Sequence, residues 1–165
     1  MASLPSKPSR VSRVEMTEIV MPEDTNPFGH IFGGRVMTLI DKAAAIAAMR
    51  HARSNVVTAS VDRLVFRAPV RLGQILRVHA AVNAAFSTSM EVGVKVLSED
   101  PHSGRQAHCC SAYVTMVALD RSGRPAQVAA ISAAGATERR RLRAAAARRR
   151  SRLRERRLRE RRRAD

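Results

Sequence analysis

Between residues 76 and 96 apolar side chains twice fall on alternate positions: Leu76, Val78, Ala80 and Val82, then Met90, Val92, Val94 and Val96. Period two marks strands with one buried face, so residues 76–84 and 90–96 predict two strands. Residues 107–119 predict another, and its second half, 112–119, is apolar on both faces apart from Thr115, as suits a central or interface strand. Shorter strands are expected at 14–20, 56–61 and 64–66. The short turns at 69–73 and 100–104 argue for antiparallel pairing. Residues 35–51 follow a different rule. Val36, Met37, Leu39, Ile40, Ala43, Ala44, Ile46, Ala47 and Met49 leave almost no polar stripe, which predicts a helix enclosed by the fold. One buried helix against one curved antiparallel sheet is an α+β architecture.

Composition narrows this picture. With 165 residues, 45% of them hydrophobic, the chain suits one domain, placed at residues 11–130. No apolar run approaches the roughly 20 residues needed to span a bilayer, and the polar start lacks the apolar centre of a secretory signal. A cytoplasmic protein is expected. Cys109 and Cys110 are adjacent in a strand-like run, point to opposite faces, and read as small core residues without metal spacing.

The net charge of +16 is unevenly placed. Residues 139–165 hold 15 of the 30 Lys+Arg and three of the 14 acids, so this segment carries +12. Residues 137–165 therefore read as a basic appendage, helical or disordered. Leu142, Leu153 and Leu158 make too thin a stripe to bury firmly, so a frayed, solvated helix or disorder is expected. Either it is a solvated charge run, or it is a non-specific polyanion-binding arm acting through phosphate neutralisation.

Candidate chemistry gathers at the start of the predicted helix. Asn26-Pro-Phe-Gly-His-Ile-Phe-Gly33-Gly34 runs into an apolar stretch whose one carboxylate is Asp41. Helix-opening glycines expose backbone N–H groups to an anionic oxygen, so Gly33 and Gly34 are candidates to hold a carbonyl. Asp41, set among Met37, Thr38, Ala44 and Ala45, is expected in a partly desolvated setting as general base or water orienter; the plainer alternative is a structural pair with Arg35 or Arg50. Asn26 is a candidate to orient the carbonyl or the water, or an ordinary turn residue before Pro27. Asp41 lies seven residues beyond Gly34, about 10 Å along a helix axis, too far for one carbonyl to meet both. Two chains pooling one group each would close that gap.

These residues carry a resemblance. Asn-x-x-Gly-x-x-Phe-Gly-Gly, then Asp-x-Ala-Ala, Arg50-His51-Ala52, Val57-Thr58-Ala59-Ser60-Val61-Asp62, Phe66, Pro69-Val70 and Gly73 resemble the hotdog-fold acyl-CoA thioesterases of the YciA and brain acyl-CoA hydrolase type. The resemblance covers roughly residues 13–120. It implies a hotdog fold, in which an antiparallel sheet wraps a central helix and two subunits join, commonly as a trimer of dimers. The implied reaction is hydrolysis of acyl-CoA to free acid and CoA, without metal or cofactor. It also implies a CoA-binding role for the turn Ser87, Thr88 and Ser89. Arg63, Arg67, Arg71 and Arg105 are candidates for the CoA phosphates, and Val36, Met37 and Ile40 for the acyl pocket. Two alternatives stand beside it: a β-hydroxyacyl thioester dehydratase or hydratase pairing His30 with an acid, and a non-enzymatic polyanion-binding module.

Overall fold

Every one of the alternating apolar positions lands on the same side of one sheet. The computed structural model describes residues 4–62 and 64–164. In chain order its elements are β1 (Lys7–Pro8), β2 (Val14–Ile19), α1 (Gly33–Ala52), β3 (Asn55–Val61), β4 (Ile75–Ala85), β5 (Ser89–Glu99), β6 (Gln106–Leu119), β7 (Ile131–Ser132) and α2 (Ala136–Ala164). Five strands form an antiparallel sheet in the order β2-β4-β5-β6-β3. Leu76, Val78, Ala80 and Val82 of β4, and Met90, Val92, Val94 and Val96 of β5, are all buried towards α1.

The helix meets that face with Val36, Leu39, Ile40, Ala43, Ala44, Ala47 and Ala48, each 2% exposed or less. The alanines let the helix axis approach the sheet closely, while Leu39 and Ile40 fill the space between. Truncating either to Ala would cost on the order of 2–5 kcal/mol. Arg53 ends α1 in the left-handed region at φ 58°, its N–H donating to the Met49 carbonyl at 2.8 Å. This is the curved sheet around a central helix expected of a hotdog fold.

Three local expectations need correction. Residues 64–66 form no strand. After β3 the described residues bond β6 at separate points, Asp62 N–H to the Tyr113 carbonyl at 2.9 Å and Arg67 N–H to the Cys109 carbonyl at 2.7 Å. Leu64 reaches the core while Val65 and Phe66 stay exposed, so three adjacent apolar residues imitate a strand without its pairing. Arg63 lies outside the described residues. Secondly, β6 carries an extra residue between the pairs Val96↔Cys110 and Leu97↔His108. Cys109 sits in that bulge, so both cysteines are buried rather than divided between a buried and an open face.

The third correction concerns the basic tail. It is one helix, α2, and its first half is packed on the outer face of the sheet instead of standing in solvent. Ala145 is fully buried. The Arg148 guanidinium lies 3.5 Å from the Tyr113 ring centroid, and Arg149 lies 4.4 Å from that of Phe86. Arg152 Nη1 donates to Asp62 Oδ2 at 2.7 Å. The helix is held by cations and rings rather than by a leucine stripe, and so its hydrophobic pattern underestimates it. Only the last part, with Leu153 40% and Leu158 51% exposed, matches the solvated helix expected. No helix among the described residues is long and apolar enough to cross a membrane.

Candidate active site

The loop from Pro22 to Phe32 is folded by its own polar side chains. Asn26 Oδ1 accepts from the backbone N–H groups of Phe28 at 3.0 Å and His30 at 3.2 Å, and the Asn26 N–H donates to the His30 carbonyl at 2.8 Å. Gly29 takes the left-handed turn at φ 72° that this closure requires. Arg35 anchors the loop to the helix, its guanidinium 2.7 Å from Glu18 and 2.9 Å from Asp24. Asn26 is thus a turn residue through its oxygen. Its Nδ2 amide has no hydrogen bond to the described residues and stays available as a donor.

At the start of α1 the Arg35 and Val36 N–H groups already return to the Phe32 carbonyl, at 3.0 and 3.3 Å. Phe32, the cap residue, makes no side-chain hydrogen bond. The N–H groups of Gly33 and Gly34 are therefore the open donors of the helix, at the positive end of its dipole. Gly34 has open space where a Cβ would stand, while a Cβ on Gly33 would come within 3.4 Å of the Phe66 ring. A cleft of about 360 Å3 begins here, lined by His30, Ile31, Gly33, Phe66, Val70 and Cys109. Among the described residues of the single chain no carboxylate lines it.

Asp41 sits two turns further along α1, on the face turned away from the sheet core. Contrary to the desolvated setting expected for it, the residue is exposed in the single chain. It pairs with neither arginine: Arg35 is committed to Glu18 and Asp24, and Arg50 donates to the Arg13 carbonyl. Instead the Thr58 hydroxyl donates to Asp41 Oδ1 at 2.6 Å. Thr58 pairs with Met116 in regular register, and strand alternation with the half-buried Val56 turns its side chain to the helix side of β3. The bond fixes one carboxylate oxygen and leaves Oδ2 free to accept a proton from water. Thr58 was not singled out as a site residue from sequence. The available signal was the threonine hydroxyl of the Val-Thr-Ala-Ser motif in the strand following the helix.

Around Asp41 the surface is apolar and unpaired. Met37 is 49% exposed, Val57 47% and Val61 42%, and β3 is an edge strand of the sheet. The Asn26 loop and the Gly33–Gly34 helix tip lie at the other end of α1. Within one chain, the structure does not bring Asn26, Gly33 and Gly34 into hydrogen-bond contact with Asp41. Ser87 and Thr88 form the turn between β4 and β5, with Ser89 opening β5. Their carbonyls are used: Val128 N–H donates to Ser87 at 3.0 Å, Ala118 N–H to Thr88 at 2.9 Å and Phe86 N–H to Ser89 at 2.8 Å. Their three hydroxyls have no hydrogen bond to the described residues.

Residues 28–104 match the family model described as the thioesterase superfamily. Over 117 residues the chain is 38% identical to an uncharacterized acyl-CoA thioester hydrolase of Bacillus subtilis, covering 71% of this chain and 68% of that protein. The chain belongs to the hotdog acyl-CoA thioesterase family. It is 41% identical over 107 residues to acyl-coenzyme A thioesterase 11 of Mus musculus, 65% of this chain but only 18% of that much longer protein. Among solved structures, a ligand-free hexameric acyl-CoA thioesterase superposes with a TM-score of 0.89 at 39% identity, covering 92% of this chain and 97% of the other. An acyl-CoA hydrolase from Staphylococcus aureus, in complex with butyryl coenzyme A, coenzyme A and coenzyme A disulfide, superposes at 0.86 with 36% identity and 95% coverage of each chain. Further structures of the Staphylococcus aureus hydrolase carry an aspartate, an asparagine or a threonine replaced by alanine. Coverage of 92–95% of this chain means that both superpositions extend into α2.

Proposed function

We propose that the protein hydrolyses acyl-CoA to a free acid and CoA, with Asp41 as the general base or water-orienting group. The observation that carries this reading is the 2.6 Å bond from Thr58 to Asp41, which steadies a carboxylate facing outward on an apolar surface. The water oxygen attacks the thioester carbon as its proton passes to Asp41. The Gly33 and Gly34 amides, with the Asn26 amide, hold the tetrahedral oxyanion. The C–S bond then breaks, and the departing thiolate takes a proton as CoA. The residues altered in the Staphylococcus aureus variants support these roles by their spacing. An asparagine, an aspartate fifteen positions on and a threonine seventeen further match Asn26, Asp41 and Thr58.

The same reading makes the site a shared one. The exposed apolar surface of α1 and the unpaired β3 edge suit a second copy, whose loop and helix tip would meet Asp41 and remove it from water. We take the functional unit to be a homodimer, assembled as three dimers, in keeping with the hexameric thioesterase relative. Ser87, Thr88 and Ser89 offer free hydroxyls for the CoA arm, and Arg67, Arg71 and Arg105 are exposed cations available to its phosphates. The cleft at Gly33, with Ile31, Phe66 and Val70 on its walls, is apolar enough to take an acyl chain; of the helix residues expected there, Met37 is exposed, whereas Val36 and Ile40 are turned into the core and do not line it. Through the exposed end of α2 the chain also meets polyanions, non-specifically.

The test is thiol release from a panel of acyl-CoA esters of increasing chain length, with the unmodified protein and with Asp41→Asn. Release of free CoA that disappears in the variant supports the assignment. Conversion without release of CoA would point to the dehydratase or hydratase instead.

A further inference from the structure

A second site lies on the opposite face of the sheet, away from Asp41. Between α2 and the outer faces of β2, β4, β5 and β6 runs a groove of about 800 Å3. That is within the size range of pockets for small ligands, roughly 300–1,000 Å3. Arg140, Arg141 and Arg148 overhang it from α2, and Arg13 and Lys95 rise from the strand side. The charges are not balanced from within. Glu15, the acid lining the groove, is engaged by Arg77 at 2.5 Å, and Arg148 is engaged by Glu91. Arg13, Lys95, Arg140 and Arg141 have no side-chain hydrogen bond or ion pair with the described residues. Four uncompensated cations around one concavity concentrate positive potential inside it.

The floor supplies an independent sign of a ligand. Asn83 lines the groove, is only 8% exposed, and has no hydrogen-bond partner for its side-chain amide among the described residues. The amide reaches the solvent of the groove without a partner in the chain and is free to donate to an oxygen bound there. Strand alternation after the inward Val82 puts Asn83 on this outer face, at a register shift between Val82 and Ala84 that leaves it without a cross-strand partner. Its amide lies across Gly93, where even a Cβ would stand 2.4 Å from Nδ2. The residue beneath Asn83 is thus the one type that leaves it room.

We propose that this groove binds a polyphosphate anion, its phosphates neutralised by Arg13, Lys95, Arg140 and Arg141 and one oxygen accepting from the Asn83 amide. Charge-assisted bonds of this kind favour a multiply charged phosphate over a single carboxylate. The ligand is either a free polyphosphate, inorganic or as a nucleotide, or the phosphate end of CoA. We assign the site to the free form, because it opens on the sheet face opposite to the one that carries α1. The assignment does not depend on the thioesterase reading.

Titration calorimetry of the full chain with inorganic tripolyphosphate tests it, at physiological salt. Saturable binding of one anion per chain is expected, weakened about tenfold by Asn83→Ala and at least a hundredfold by Arg140→Glu with Arg141→Glu. Arg154→Glu with Arg157→Glu, the same charge change further along α2, should leave the affinity within about twofold. Equal loss in both double variants, or no effect of Asn83→Ala, overturns the proposal. The unmodified protein gives a readout that survives misfolding of any variant: tripolyphosphate should slow acetylation of Lys95 at least fivefold and spare exposed Lys42. Equal protection of both lysines, or of neither, also overturns it. If CoA displaces tripolyphosphate and the Arg140/Arg141 variant raises KM for acyl-CoA by the same factor, the groove is part of the substrate site and the free-anion assignment fails.

Discussion

Arg148 holds Glu91 by two hydrogen bonds, Nη2 to Oε1 at 2.7 Å and Nε to Oε2 at 3.2 Å, and that carboxylate is fully buried beneath the helix. Arg152 adds a further contact at 3.3 Å. Removing one partner of such a pair strands a buried charge, which costs more than the pair itself contributes. Arg148→Ala should therefore lower stability by about 3 kcal/mol, at the low end for buried pairs because Arg152 remains. Adding Glu91→Gln should recover part of it. Urea unfolding of the single and double variants measures both, and an Arg148→Ala protein as stable as the original would contradict the packing described.

Thr58 and Asp41 should separate in kinetics. Asp41→Asn is expected to reduce kcat by about 10² to 10⁴, as the loss of a general base does, with the fold unchanged because the residue is exposed. Thr58→Ala removes one hydrogen bond to the carboxylate and should reduce kcat about tenfold, with KM nearly constant. Thr58→Ser, which restores the hydroxyl, should return most of the rate. Steady-state thiol release decides, and a Thr58→Ser protein as slow as Thr58→Ala would show that the hydroxyl does not act on Asp41.

Subunit sharing predicts complementation. Asn26→Ala and Asp41→Asn proteins, each nearly inactive alone, should regain up to about a quarter of the original activity when mixed and reassembled, by statistical pairing of intact half-sites. Absence of any recovery in heterodimers verified by mass spectrometry would place both groups in one chain's site.

His51 predicts an acid-side loss of stability. The ring is fully buried, Nε2 lies 2.8 Å from the Ala129 carbonyl and Nδ1 has no partner. Desolvation holds its pKa below the ordinary histidine value, against the opposing effect of the Ala129 bond. A base that protonates more easily unfolded than folded favours unfolding as the pH falls. The loss should begin near pH 6.5, the ordinary value, and grow towards about 1.4 kcal/mol per pH unit until the folded-state pKa is passed. Melting temperatures from pH 7.5 to 5 should fall more steeply for the original protein than for His51→Gln. Parallel curves would exclude His51 as the source.

The packing around His51 also shows where sequence reading stops. The helix-end position was visible, but its burial depends on the pairing of β1 with β7 far along the chain, together with Lys7 Nζ donating to the His51 carbonyl at 2.8 Å. Neither two-residue strand has a period to read. Thr58 is similar: the hydroxyl is plain in the sequence, but its meeting with Asp41 depends on how α1 packs against β3.

By itself the sequence determined the sheet and the buried helix, because period two and an all-round apolar surface each permit essentially one way to exclude water. It also determined the chemical groups on offer, since a glycine pair at a helix start and a carboxylate in an apolar run are local facts. The tertiary structure alone decided what those groups face. Burial of Glu91 under Arg148, the unpaired Asn83 above Gly93, and Asp41 held by Thr58 on an open apolar surface all join residues seventeen or more positions apart, or across strand registers. Such contacts follow from which strands pair and where they bulge, and no local pattern of polar and apolar residues carries that information.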